Sequence, residues 1–465
     1  MKGNHQVVIS APMDNQMVKL KRLRQLAKTA RLKRKEQIQL QRSRKRTRIN
    51  RSERSNDNNG ASKAWNFGGP TCICKHCYAV MWHAENIKTS RGAGPSFGLC
   101  CMQGKVTLPP LKEPPSYLTS LLTRDGGGRA ANYLQNIRSY NSMFAFTSMG
   151  GMVDKTVNKG RGPYVFRLKG QNYHHIGTLL PKEGNKPRFQ QLYIYDTNNE
   201  IQNRVEVSRS GESSAPLDES IIMGLLTMLN ENNTLAQSFR MARDRFENRD
   251  YHNLTLRLLG NREQDGRKDN MPSASEVAAL IVKDPATGSY GRDIVLEYKD
   301  MRPKRVSEIH PKFMAMQYPL LFPYGEDGFR PGIKYKEKGI SNSKKYISML
   351  EYYAYRLQQR SNQSMLMLMG GNLSMQFLVD VYACIEQHRL DWIRKNQGAL
   401  RTELFGGLRD AVRKGDTRTE KVGRRIVLPA SFPGSPRHRA KLPRCNGSLS
   451  LGWIPRFVFN VHVQP

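Results

Sequence analysis

No run of about 18 or more apolar residues occurs anywhere in this 465-residue chain, which excludes a helical membrane span. Its first residues, MKGNHQVVISAPMDNQ, contain no apolar signal core, so the sequence reads as not secreted. Enzyme signatures are also missing. No phosphate-cradling G-x4-G-K-S/T loop exists, and GNREQDGRKD has the wrong spacing and no hydroxyl residue after its Lys. H-E-x-x-H, G-x-S-x-G and a G-x-G-x-x-G after a strand are absent, so nothing calls for a nucleotide cofactor and no catalytic residue is assigned. Acidic residues are scarce, with 39 Asp and Glu against 75 Lys and Arg. Cysteines number seven, five of them between residues 72 and 101. That clustering argues against a disulfide framework and for metal binding in a reducing compartment.

The charge imbalance leaves +36. Residues 19–54 hold sixteen Lys and Arg and two Glu, a local +14, so the other residues still carry +22. Such a field attracts polyphosphates, and counterion release makes the binding salt-sensitive. Within this arm Lys33, Arg34, Lys35, Arg44, Lys45, Arg46 and Arg48 are the candidate phosphate contacts. Leu20, Leu23, Ala27 and Ala30 recur at helical spacing, with too little apolar surface to pack firmly without a polyanion. The stretch KRKEQIQLQRSRKR could also serve as a nuclear address. The expected location is nuclear, otherwise cytoplasmic.

The cysteines fall in CICKHCYAVMWHAE and FGLCCMQGKV. Cys74 and Cys77 form a C-x2-C pair, a spacing that brings two thiolates to one zinc from a tight turn. Cys100 and Cys101 follow after 22 residues, slightly beyond the commonest ribbon spacing. Neighbouring side chains point apart on a strand, so a joint role for these two requires a sharp backbone turn. Cys72, His76 and His83 are further candidates. Zinc needs four ligands, and a site closed by four would be structural. The alternative is a small fold in which thiols are core filler.

Organisation follows composition. Residues 1–63 read as a disordered basic arm and linker, 64–110 as a small Cys-rich, zinc-finger-like module, 111–345 as a mixed α+β body, and 346–438 as a helical region, for an α+β fold overall. SYLTSLLT, IIMGLLTML and LAQSFRMARDRF have helical patterning, and PSASEVAALIV places Ser273 three residues before Glu276 as a capping box for another helix. FAFTS, YVFRL, HHIGTLL and FQQLYIYD alternate as strands do. HPKFMAMQYPLLFPYGEDGF should be buried and irregular. The clearest helix lies at 373–395, with Phe377, Val381, Ile385, His388 and Trp392 as its apolar stripe; Leu400, Leu404, Leu408 and Val412 continue the pattern. His174 and His175 must face opposite ways on a strand and cannot share a metal. Tyr352, Tyr353 and Tyr355 open a helix with no base or metal in view and read as packing residues, and Cys384 lies near an apolar stripe.

These residues fall into ordered blocks. CKHCYAVMWHAE, FGLCCMQGKVTLPPL, NIRSYNSMFAFTSMG, YHHIGTLLP, PRFQQLYIYDTNNEIQNR, FRMARDRF, SEIHPKFMAMQYPLLFPYGEDGF, YYAYRLQQR, GGNLSMQFLVDVYACIEQHRLDWIRKNQ and GRRIVLPASFPGSPRH together resemble the large protein of Helitron transposons, in the region ahead of its nuclease. The resemblance spans about residues 66–438. It implies a replication initiator whose intact relatives cut single-stranded DNA with a His-hydrophobic-His metal site and tyrosine nucleophiles, and unwind it with an ATP-driven motor. From Arg439 the sequence departs from that pattern, and VHV at 461–463 offers one histidine, not a pair. The expectation is therefore a non-catalytic, nucleic-acid-associated piece of such a protein, with residues 439–465 an unrelated tail. Its expected partner is DNA, single-stranded or without sequence preference, with RNA as an alternative. Two rival readings are a residual endonuclease using Tyr352 or Tyr353 with His174 or His175, and a host-adopted RNA- or DNA-binding protein.

Overall fold

Asp218 opens a helix by accepting a hydrogen bond from Ser220 N at 2.8 Å, the capping geometry that short polar side chains supply. The same device recurs at Asn233, which accepts from Leu235 N and Ala236 N at 3.0 and 3.1 Å, and at Ser348 and Glu351, which form a reciprocal capping box. In the computed structural model the described residues are 68–397, apart from 88–93, 124–125, 154–155, 157–167, 170–171, 210–216, 248–254, 261–264, 272, 274–277, 282–292, 298–302 and 337–344. The basic arm, the helix expected at 400–412 and the tail all lie outside the described residues.

The helices are α1 (Ser116–Leu122), α2 (Gly127–Phe144), α3 (Glu200–Arg209), α4 (Glu219–Asn232), α5 (Thr234–Glu247), α6 (Phe313–Gln317), α7 (Met349–Arg356), α8 (Leu366–Met369) and α9 (Gly371–Lys395). Short antiparallel strands lie among them: β1 (Cys72–Ile73), β2 (Val80–Met81), β3 (Ser148–Met149), β4 (Met152–Val153), β5 (Leu168–Lys169), β6 (His174–Ile176), β7 (Thr255–Leu258), β8 (Ala278–Ile281), β9 (Ile294–Glu297) and β10 (Lys304–Val306). They form four small sheets, β1-β2, β10-β6-β3, β4-β5 and β8-β7-β9. The fold is α+β, as expected.

α9 packs on α2 and α7. Leu373, Phe377, Val381 and Ile385 are buried on it, but the expected stripe ends there. Trp392 is 54% exposed, and Leu390 and Ile393 take its place inward. The segment around α6 is buried and largely irregular, as its prolines required, and Tyr318 and Phe322 meet Phe377 edge-on. Burial of this kind contributes about 1.5–3 kcal/mol for each large apolar side chain.

Three expectations for local structure fail. The capping box read at Ser273 and Glu276 falls partly outside the described residues, and the end of PSASEVAALIV is not helical: Ala278–Ile281 is a strand, with Leu280 opposite Leu256 of β7. A short apolar run suits a helix or a buried strand equally, and here the β7 ladder decides. FQQLYIYD is not a strand. Phe189–Tyr193 forms a 3-10 turn, because the Gln191 side chain accepts from Arg188 N at 3.0 Å and donates to Thr178 O and Leu180 O. FAFTS becomes a strand only from Ser148, since the helix before it runs to Phe144.

Candidate metal centre

The turn that closes the β1–β2 hairpin carries Cys74 and Cys77. Cys74 N donates to Ala79 O, and Tyr78 N donates to Cys74 O, both at 2.9 Å. Tyr78 has φ 58°, a left-handed conformation uncommon for a bulky residue, and the reversal leaves both sulfurs inward while Lys75, His76 and Tyr78 stay exposed. Cys100 and Cys101 sit on a second turn. There Met102, Gln103 and Gly104 follow with φ 50°, 58° and 89°, the sharp bend that two adjacent ligands require. Gly104 N donates to Cys101 O at 3.0 Å and to Cys101 Sγ at 3.1 Å. A Cβ at Gly104 would meet His76 Nδ1 at 3.0 Å, so both conformation and space favour glycine.

The two turns bring all four sulfurs within 4.8 Å of one another, and all four cysteines are buried. The Cys74–Cys101 and Cys100–Cys101 sulfur separations are 3.8 Å. Four sulfurs placed tetrahedrally about zinc, each at about 2.3 Å, stand about 3.8 Å apart. A disulfide would hold two of them at about 2.0 Å. The four cysteines could therefore hold a metal ion, and the donor set is compatible with zinc. Cys72 is half-buried on β1, and His76 and His83 are exposed; none joins the cluster.

The electrostatics fit the same conclusion. Hydrogen bonds from Cys100 and Cys101 hold the Cys77 thiol well below its ordinary range, with Arg360 acting in the same direction. Bonds to Cys101 and Cys77 push Cys100 far up. The Cys100 bond draws the Cys101 thiol down, but the Cys77 bond and burial outweigh it, and Cys101 is pushed up to about 12. Four adjacent thiols cannot all ionise on their own; a divalent cation, if held here, would be bound by them as thiolates.

One neighbour of the cluster left no trace in the sequence pattern. Arg360, 2% exposed, follows α7 and donates from Nε to Cys77 O at 3.0 Å and from Nη2 to Cys77 Sγ at 3.6 Å. The backbone joins there too, through an Ala79–Arg360 bridge and a bond from Val80 N to Gln359 O at 2.9 Å. Cys77 and Arg360 are 283 residues apart, a separation no local motif reveals.

The other singled-out residues lie elsewhere. His174 and His175 do face opposite ways on β6: His174 is fully buried and His175 packs by Tyr173. His174 Nε2 meets Asp380 Oδ2 at 3.0 Å and stacks on Phe313. Tyr318 Oη and Asn172 Nδ2 each donate to Asp380 at 3.2 Å, and Asn172 Nδ2 also reaches Cys384 Sγ at 3.1 Å. Burial pulls the Asp380 carboxyl upward, but His174 and these donors outweigh it and hold it below the usual carboxylate range. Asp380 was legible in principle, because it sits between Phe377 and Val381 on a buried stripe where a carboxylate needs a partner. Tyr352 and Tyr353 are buried, and Tyr352 Oη donates to Asp327 O at 3.2 Å. The seven basic arm residues, and the remaining cysteine of the seven, Cys445, lie outside the described residues.

Residues 352–445 match a family described as the Helitron helicase-like domain at the N-terminus. The matched stretch begins in α7, includes Arg360 and α9, and ends beyond Arg439, where the blocks read from the sequence stop. It covers about a fifth of the chain. No curated protein matches the chain. Among the described residues no helix is long and apolar enough to cross a membrane.

Proposed function

We propose that this chain, which carries a Helitron helicase-like segment at residues 352–445, acts as a nucleic-acid-associated component of that transposon machinery and makes no bonds itself. The observation that supports this reading most is the closure of the cysteine centre. With Cys74, Cys77, Cys100 and Cys101 all buried and converging, zinc would have four protein ligands and no open position, which suits a scaffold and not a catalyst. The metal would fasten the two turns to each other. The net charge of +36 supports a polyphosphate partner, with Lys33, Arg34, Lys35, Arg44, Lys45, Arg46 and Arg48 contacting phosphates without reading sequence. Exposed cations also flank the centre. Lys105 follows the second turn, and its carbonyl accepts from Lys336 N at 2.9 Å, beside Lys334 and Lys345.

Single-stranded or non-specifically bound DNA is the expected ligand, and the nucleus its place. Burial of Tyr352, Tyr353 and His174 supports the non-catalytic reading, because a nucleophile and its base must reach the substrate. Binding of the full chain to single-stranded DNA, duplex DNA and RNA across a salt series tests the partner. Changing the seven arm residues to Gln should weaken binding at least tenfold and lower the slope against log salt by several units. Unchanged affinity and a flat salt response would contradict it. Nicking of a supercoiled plasmid with magnesium or manganese, abolished by Tyr352→Phe or Tyr353→Phe, would overturn the non-catalytic reading.

A further inference from the structure

We infer that Arg360 is the outer ligand of the cysteine centre: its guanidinium bonds the Cys77 thiolate and balances the charge of a metal tetrathiolate, so that metal binding and the order of the Helitron helicase-like segment depend on each other. The inference rests on the metal-centre reading above and extends it to a residue outside the cysteine motifs. Its starting point is a buried charge. Arg360 is 2% exposed, and the guanidinium cannot be neutralised by losing a proton. A buried cation is costly unless acceptors or a counter-charge meet it, and a thiolate in direct contact is the stronger answer. Yet the hydrogen-bond acceptors of its side chain are the carbonyls of Cys77, Tyr355 and Gln358, the first at 3.0 Å, together with Cys77 Sγ at 3.6 Å. No carboxylate is among them. The Tyr355 ring, 3.8 Å from the guanidinium carbon, adds a cation–π contact but no net charge.

The sulfurs supply what is missing. Four thiolates around a divalent cation carry a net charge of about −2, and one guanidinium in contact halves it. Cys101 Sγ already accepts from Gly104 N, and Arg360 serves Cys77 Sγ in the same way. Outer-shell donors of this kind fix the orientation of a ligand and raise metal affinity. The coupling also runs through the backbone. Arg360 pairs with Ala79, two residues after Cys77, and Nη1 ties the guanidinium to the last turn of α7. Loss of the metal would therefore cut the negative charge beside Arg360 from that of a tetrathiolate to what Cys77 alone supplies, and would loosen α7 along with the turns.

Cobalt substitution of the full chain tests this. The wild type should show the intense sulfur-to-cobalt bands of a tetrathiolate site. Arg360→Gln should shift those bands to lower energy and speed metal release to a chelator on the order of tenfold. Arg360→Lys, which keeps the charge, should fall between the two and covers the case in which the Gln variant fails to fold. Arg356→Gln is the control for a purely structural loss, since that buried arginine donates to Pro109 O and touches no sulfur; its bands should match wild type. Zinc removal from the wild type should speed amide exchange across 352–360. Normal bands and release rates in both Arg360 variants, or exchange across 352–360 indifferent to zinc, would overturn this inference and leave the metal centre standing. A full chain that binds neither zinc nor cobalt would overturn both.

Discussion

The cysteine cluster and the Asp380 cluster are both buried and polar, but they resolve their burial in opposite ways. Around Asp380 the groups are complementary. His174, Tyr318 and Asn172 all bond the carboxylate, leaving His174 Nδ1 and Asn172 Oδ1 as the cluster's unpartnered atoms. Around Cys77 the groups are alike: four thiols at tetrahedral spacing that compete for protons and cannot neutralise one another. A set of unlike partners closes by itself and pins β6 to α9. A set of like ligands needs a cation from outside. The difference separates a structural core network from a cluster that could hold a metal better than burial does, since both are buried.

The contrast should show first in the response to metal removal. Cys77→Ser, or zinc chelation from the wild type, should unfold residues 68–110 and lower stability by several kcal/mol, because structural zinc contributes directly to folding. Calorimetry of the full chain with and without chelator reads the effect. The Asp380 cluster should ignore chelation and respond to its own disruption: Asp380→Ala should cost about 3–5 kcal/mol by leaving His174 and the donors unpaired. Its acid response has a definite sign. The folded carboxyl lies below the usual range, so the pair contributes stability above the unfolded value of about 4 and loses it as pH falls through the lower folded value. Asp380→Asn should flatten this acid limb of the stability curve; an unchanged limb would deny Asp380 its role.

A smaller effect belongs to Glu326, which is buried and accepts a hydrogen bond from Tyr324 N at 3.2 Å. Burial pushes its carboxyl up to about 7. The folded state therefore favours the neutral acid, and stability falls as pH rises from about 4.5 to 7. Glu326→Gln should raise the melting temperature at pH 8 and leave it nearly unchanged at pH 4. Equal shifts at both values would point to packing and not to charge.

The sequence revealed the two sites unequally. The C-x2-C pair and the adjacent cysteines pointed to the four residues that converge, because the short spacings a metal site favours survive as local text. Helices with strong periodicity, such as α4, α5 and α9, were equally readable. Strand β8 was not, since an apolar tetrapeptide takes its conformation from the ladder it joins, and β7 lies more than twenty residues earlier. The turn at Phe189–Tyr193 depends on Gln191 reaching carbonyls at 178 and 180, a tertiary fact. Arg360 was hidden for the same reason, one ordinary charged residue until the fold supplies its partner, whereas the place of Asp380 on an apolar stripe signalled a buried carboxylate without naming what it bonds.

The most direct test is the metal content of the full chain, measured by native mass spectrometry alongside alkylation mapping of its cysteines. The account predicts zinc bound to the chain, with Cys74, Cys77, Cys100 and Cys101 protected until a chelator is added and labelled afterwards. A metal-free chain whose four cysteines label at once, or stay protected whether or not chelator is present, would contradict it.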